Sequence, residues 1–481
     1  MGGSHVLVIS HEVVDTSMAG PGIRYSELAR VLSRHFRLTL AVPGEVGGSS
    51  GEASLVGRPR MGMRPPIEGE ANGSLGVWPY QRSRWDSLAP IATQADVVIA
   101  CGDTLADFPE AADLGAPLVI DGYDPHSLET LALWAGEPLH VQDARHKERL
   151  TILRQQCRAG DFFICASERQ RDWWLGLLEQ QGRVNPLTYT DDPSLRRLID
   201  LVPYGLPAQP PNPSRRVLRG IWPGIGPEDP IILWGGGLWQ WLDPLPAVRA
   251  THQLAEGGMP LRLVFPGTRH PNPSVPDMPI RAQTMALADE LGLTGKHVFF
   301  GDWVPYEDWP AVLLEADVGL SLHPNSAETR MAFRSRSLDY IWSGLPMVVT
   351  RGDAISEVVE SYGLGAVVDY GDHAGVADAI QAVLERPRDA WQDQFTEAQA
   401  ELTWEHAAQP LIEFCQQPYH AADWPFHARA QPEDVDTALQ EGMAQRDAEI
   451  ARLQELVAGY ERGRFMKMMR QMQHWRKKAA L

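Results

Sequence analysis

Leu320-Ser-Leu-His-Pro-Asn-Ser-Ala-Glu328-Thr-Arg-Met-Ala-Phe-Arg334-Ser-Arg336-Ser-Leu-Asp339-Tyr340-Ile-Trp-Ser-Gly344-Leu-Pro346-Met-Val-Val-Thr350 is the stretch from which the fold follows. An apolar run ends near His323, a polar loop comes next, and the spacing predicts a helix from about Arg330 to Trp342. Gly344 suits the residue just past that helix, and Pro346 bars its continuation. A second apolar run, Met347–Thr350, follows at once. Strand, helix and strand in so short a span form a βαβ unit with parallel strands.

The alternation extends both ways. Ile231–Trp234, Arg262–Phe265, His297–Phe300, Val318–Leu322 and Ala366–Val368 read as further buried strands around the same unit. Upstream, His5–Ile9, Leu38–Val42, Asp96–Ala100, Pro117–Ile120 and Asp161–Ala166 repeat the pattern, with helices such as Ile23–Arg34 and His146–Arg158 between them. The proline-dense stretch 203–229 suits neither helix nor central strand and separates the two series. The expected architecture is α/β, with two Rossmann-like parallel-sheet domains facing a cleft. The expected units are 1–205, a linker over 206–229, 230–395, a helical crossover at 396–430 and a C-terminal helix over 431–481. Ligands of such sheets sit beyond the carboxyl ends of the strands, here in the cleft.

Composition narrows the function. The 481 residues carry 43 Lys+Arg against 62 Asp+Glu, a net charge of −19, which argues against nucleic acid as a partner. Four dispersed cysteines fit neither a disulfide framework nor zinc spacing, so a reducing compartment is expected. The first residues resemble no secretion signal, and no uninterrupted apolar run is long enough to span a bilayer. The chain reads as cytoplasmic.

Its last fifty residues differ. Leu439, Met443, Ile450, Leu453, Val457 and Tyr460 keep a 3-4 spacing, broken by Arg446. Residues 461–481 carry seven bases and one acid, with Phe465, Met469, Met472 and Trp475 at helical spacing. Such an end suits peripheral contact with the inner face of an anionic membrane; self-association through 431–481 is the other reading.

Three constellations carry chemistry. Ala19-Gly20-Pro-Gly22 follows the first strand and precedes a helix, so backbone can approach a ligand there, or the segment is an ordinary turn. Arg24, in that helix's first turn, needs an anionic partner to offset the helix dipole. Gly235-Gly236-Gly237 occupies the matching place in the second domain, where a diphosphate can rest on backbone N–H groups. On the predicted helix, Arg336, Asp339 and Tyr340 share a face. Arg334 and Arg336 have the fork geometry for a diphosphate, unless Glu328, Arg334, Arg336 and Asp339 form only a surface salt-bridge set.

At this helix the sequence resembles the GT-B-fold nucleotide-sugar glycosyltransferases of family GT4, over roughly residues 5–420. The likeness rests on the Gly20/Gly22 loop before Ile23-Arg-Tyr-Ser-Glu-Leu-Ala-Arg30, Cys165-Ala-Ser-Glu168, Pro203-Tyr-Gly-Leu206, Phe300-Gly-Asp-Trp-Val304, Ala316-Asp-Val318, and Asp339 through Gly344-Leu-Pro-Met-Val-Val349. It implies a donor bound by the second domain, an acceptor by the first, and closure around both. Asp339 falls at the family's second acid of E-x7-E, which holds the donor ribose. Met331 falls at the first and cannot replace it, which leaves Glu328 to reach the donor sugar. The family's Arg and Lys would fall near Gly237 and Trp241, so Arg334 and Arg336 are the candidates for the missing positive charge. Trp303 and Val304 match the segment that cradles the base, though Trp303 suits a core as well. Glu357 matches the acid of the family's Gly-rich loop. In the first domain Tyr123 takes the place of a His beside the acceptor, and Asp124 matches the Asp that follows. Asp124 can accept a hydroxyl proton, or merely cap the helix near His126.

The resemblance implies a retaining, metal-independent transfer from a nucleotide sugar to a glycan or lipid-linked acceptor, as in bacterial cell-surface polysaccharide biosynthesis. The donor is a substrate, and no further cofactor is implied. Two other functions fit the departures from the family's pattern: a non-catalytic GT-B scaffold, or a sugar-nucleotide epimerase.

Overall fold

β1 (His5–Ile9) is buried along its whole length, so it can sit only inside a sheet covered on both faces. With β2 (Arg37–Pro43), β3 (Leu75–Tyr80), β4 (Val97–Cys101), β5 (Leu118–Asp121), β6 (Phe162–Cys165) and β7 (Ile199–Leu201) it forms a parallel sheet of order β3-β2-β1-β4-β5-β6-β7. β8 (Ile231–Trp234), β9 (Arg262–Phe265), β10 (Val298–Phe300), β11 (Val318–Ser321), β12 (Met347–Thr350) and β13 (Gly365–Val368) form a second parallel sheet, β10-β9-β8-β11-β12-β13. This computed structural model describes residues 4–14, 20–44, 74–213, 215–269 and 277–424, with isolated positions between 448 and 459. The tail over 431–481, read above as a membrane or pairing helix, lies otherwise outside the described residues.

The two-sheet architecture expected from the sequence is the one observed. Both strands that the sequence pattern missed, β3 and β7, are sheet edges. β3 carries Gly76 and Pro79 and is half-exposed, and β7 has three residues. Edge strands need neither full apolarity nor every backbone donor. In each sheet the strand order reverses once, between β1 and β4 and between β8 and β11, and the loops beyond those pairs open the crevice where ligands of such sheets bind.

The proline-dense linker is not a loose tether throughout. The Glu315 carboxylate accepts from the backbone N–H groups of Val217, Leu218 and Arg219 at 2.7, 3.0 and 2.6 Å, fixing this part to the second domain. The chain then returns to the first domain. Leu206 exchanges backbone hydrogen bonds with Leu402 and Trp404. A side chain at Gly205 would collide with the Trp404 backbone, so this crossing requires glycine. Phe414 stacks on Phe162, and Arg183 and Asp423 form a bidentate pair that is fully buried. All four cysteines are free and buried. Among the described residues no helix is long and apolar enough to cross a membrane.

The single helix expected over Arg330–Trp342 is two: Ala327–Met331 and Ser335–Trp342. Ala332 is extended and Arg334 leaves helical geometry, although neither glycine nor proline stands there. The break lets Arg334 fold back onto Glu328. Gly344 is left-handed (φ +62°) past the second helix, as its position in the sequence implies.

Candidate active site

The second-domain half of the crevice is built around Tyr340. Its hydroxyl accepts from the Gly235 N–H (2.7 Å) and donates to the Leu320 carbonyl (2.9 Å), tying the helix Ser335–Trp342 to the ends of β8 and β11. A Cβ at Gly235 would lie 2.6 Å from that hydroxyl. Gly236 adopts φ +79°, which keeps the turn open to glycine alone. Trp303 lies over this turn, 3.6 Å from where a Cβ on Gly237 would stand, and Val304 packs against the core.

Arg336 reaches back along the same face. Its Nη2 donates to the Gly237 carbonyl (3.2 Å) and its guanidinium lies 5.3 Å from the Trp234 ring centre. Its Nη1 is buried with no hydrogen-bond partner. Loss of water pulls its pKa down to about 10, and Tyr340 and Asp339 offset this only in part. Arg334 differs. Its Nη1 and Nη2 bind the two Glu328 oxygens at 2.8 and 2.7 Å, and its Nε lies 4.0 Å from Asp353. Burial opposes the Arg334 charge, but Glu328 more than compensates and holds its pKa above the usual value. The salt-bridge alternative thus holds for one pair, which is buried rather than on the surface. His323 stands 3.5 Å from Asp353 and extends the cluster.

Asp339 points elsewhere. Its Oδ2 accepts from Trp309 Nε1 (2.9 Å), and it lines an interdomain cavity with Gly20, Tyr204, Ser335 and Trp342. Burial raises its pKa to about 6, against the Trp309 hydrogen bond and the Arg336 charge.

In the first domain, Gly20 and Gly22 belong to the helix Gly20–Leu32 rather than to a loop before it, and Gly22 is buried. Arg24 finds its anionic partner inside the chain, which corrects its reading as an acceptor-side residue. Its Nε and Nη2 bind Asp121 at 2.7 and 2.9 Å; Nη2 also donates to the Val202 carbonyl (2.8 Å) and Nη1 to that of Pro203 (3.3 Å). Tyr123 and Tyr204 flank it, and no part of its side chain is exposed.

Asp124 begins the loop at the mouth of β5. The helix that follows, His126–Leu133, has no side-chain cap, so the capping role is absent. Burial, with Glu129 next, raises the Asp124 pKa to about 7. His126 Nδ1 lies 3.6 Å from Glu129 Oε2; burial disfavours the imidazolium, but Glu129 and Asp124 outweigh it and raise the pKa. Asp124, His126 and Glu129 each bring a ligand atom within 4.8 Å of the others, a grouping with the donor set for a metal ion or a shared proton. His11, facing His126 at 6.4 Å between ring centres, is held neutral, its pKa pushed down to about 3 by burial and then by His126.

Sequence reasoning missed His11, Glu129, Asp353 and Gln170. His11 lies two residues past the end of β1, which was a usable signal; Glu129 and Gln170 sit in ordinary helical sequence, and only the fold brings them to the cleft.

Residues 229–386 match the model of the family described as glycosyl transferases group 1. The D-inositol 3-phosphate glycosyltransferase of Nocardia farcinica is 29% identical over 241 residues, which cover 49% of this chain and 50% of that protein. The chitobiosyldiphosphodolichol beta-mannosyltransferase of Candida albicans is 31% identical over 83 residues, 17% of this chain and 18% of that protein. The chain thus spans half or less of the length of these curated relatives. WaaG, described as a glycosyltransferase involved in lipopolysaccharide biosynthesis, superposes over 86% of this chain and 100% of its own, with a TM-score of 0.54 at 15% identity. The resemblance noted in the sequence therefore holds. Residues 229–386 are thus similar to group 1 glycosyl transferases, and the chain has a GT-B fold.

Proposed function

We propose that this chain is a glycosyltransferase of hexosyltransferase type, moving a sugar from a nucleotide-sugar donor to a glycan or lipid-linked acceptor in bacterial cell-surface polysaccharide assembly. One observation carries the reading: Arg336 is a half-buried cation whose buried Nη1 has no hydrogen-bond partner among the described residues, held against the Gly235–Gly237 turn. Leaving a buried guanidinium N–H unpaired is costly, and a site that keeps one suits an anion supplied from outside.

In this reading the diphosphate lies between Arg336 and the backbone N–H groups of Gly236 and Gly237, at the start of the helix Ser335–Trp342. Charge that develops on the departing diphosphate is taken up there, which lowers the barrier to sugar transfer. Trp303 and Val304 border the base, Asp339 the ribose, and Glu328, held rigid by Arg334, the sugar. Asp124 receives or orients the acceptor hydroxyl. Retention and metal independence come from the family resemblance alone, whereas a cytoplasmic place at the membrane rests on the basic, aromatic-bearing sequence of 461–481.

Calorimetric titration with UDP, GDP, dTDP and CMP tests the core of the reading. One of them should bind, and Arg336→Ala should weaken it roughly 10- to 100-fold, the loss of a charged hydrogen bond or two. If none binds, the chain is a scaffold; if one binds and Arg336→Ala changes nothing, Arg336 does not hold the diphosphate.

A further inference from the structure

The helix Glu168–Gln180 belongs to the first domain, yet its first turn reaches the second. Gln170 is almost fully buried there. Its Oε1 accepts from the Ala166 N–H at 2.7 Å. Its Nε2 donates twice, to the Tyr123 carbonyl (2.6 Å) in the first domain and to the Met331 carbonyl (2.8 Å) in the second. Every polar atom of the amide is engaged, and the two carbonyls fix which end is nitrogen.

The two acceptors are not arbitrary. Tyr123 directly precedes Asp124, the acceptor-side acid. Met331 lies midway between Glu328 and Arg334, the pair assigned to the donor sugar. Beside Gln170, Arg169 Nη1 donates to the Gly352 carbonyl (2.6 Å), one residue from Asp353, and its Nη2 pairs with Glu357. A two-residue clasp therefore joins the loops that carry the reacting groups of both halves.

We infer that Gln170 is a positioning residue: one buried amide sets the spacing between the Asp124 loop and the Glu328–Arg334 segment when the cleft is closed. It does not touch substrate. Its role rests on the glycosyltransferase reading above, because it acts through residues assigned there. Spacing of this kind governs rate more than affinity, since sub-ångström misplacement of reacting groups is felt mainly in the chemical step.

Two measurements test it. The four native cysteines are buried, so cysteines introduced at the exposed Gln180 and Glu385 can be labelled selectively, and the interdomain distance read by single-molecule energy transfer. Gln170→Glu keeps the acceptor that Ala166 needs but turns an oxygen against two carbonyls; Gln170→Ala removes the amide altogether. Both should broaden the distance distribution toward longer values, Glu more than Ala, while Arg169→Ala should do so less because that contact is partly exposed. Affinity for the nucleoside diphosphate should stay within about twofold, and the turnover of the donor should fall tenfold or more with KM little changed.

An unchanged distance distribution together with unchanged turnover overturns the clasp. So does an equal loss in nucleotide affinity and turnover, which would mark Gln170 as only structural. If the unsubstituted protein binds no nucleotide, the glycosyltransferase reading fails, and the distance measurement alone decides whether the clasp holds the domains.

Discussion

Arg24, fully buried, and Arg336, half-buried, each lie on a helix packed at the carboxyl edge of a parallel sheet, and they differ in who supplies the counter-charge. Arg24 has four of its five N–H groups engaged by Asp121 and the carbonyls of Val202 and Pro203. Arg336 has a single 3.2 Å bond to the Gly237 carbonyl and an idle Nη1. Their pKa values move in opposite directions. Burial opposes the charge at both, but Asp121 outweighs it at Arg24 and raises the value, whereas burial prevails at Arg336. Burial of an arginine therefore says little about function. An incomplete set of partners says more.

The largest expected effect breaks the comparison at its structural end. Arg24→Met strands a fully buried Asp121 carboxylate, and removing one partner of a buried pair costs about 3–5 kcal/mol. Chemical denaturation should show that loss. Arg336→Met should move stability little, or upward, because it removes a charge that the described residues offset only in part. If instead Arg24→Met leaves the denaturation midpoint in place and Arg336→Met lowers it, the two assignments are exchanged.

Arg334 lies between these extremes and sharpens the contrast. It has a full bidentate partner in Glu328 and a second carboxylate, Asp353, 4.0 Å away. A double-mutant cycle on Arg334→Met and Glu328→Gln should give a coupling of about 2 kcal/mol, with the double variant more stable than Arg334→Met alone. A coupling near zero would mean that Arg334, like Arg336, waits for a ligand.

Much of this arrangement was legible in the chain, for a physical reason. Fully buried parallel strands leave continuous apolar runs, and β8, β9 and β12 carry the boundaries expected from sequence. Gly344 announces its left-handed turn because few other residues tolerate it. What stayed hidden depends on contacts between distant segments. That Arg24 meets Asp121 and Arg334 meets Glu328, while Arg336 forms no salt bridge among the described residues, is decided by the sheet order and by the helix break at Ala332–Arg334, which no local signal marks. Gln170 is the clearest case: its two carbonyl partners lie 47 and 161 residues away.

The smallest expected effect tests whether the acceptor side holds a poised acid. In the folded chain, burial and then Glu129 raise the Asp124 carboxyl to about 7, from an ordinary value near ~3.9 in the unfolded chain. A raised carboxyl favours folding only while protonated, so this contribution is complete below about pH 4 and is lost as pH climbs through about 7. Asp124→Asn, which stays neutral, should therefore raise the melting temperature relative to the unsubstituted protein at pH 8 and leave the two alike at pH 4. The same ionisation should appear in catalysis with the opposite sense. Only the carboxylate can receive a hydroxyl proton, so turnover should rise with pH through about 7, and the Asn variant should lose that limb. A melting difference of the same size at both pH values would mean that Asp124 is already ionised at acid pH. The shared proton would then belong to His126 and Glu129 instead.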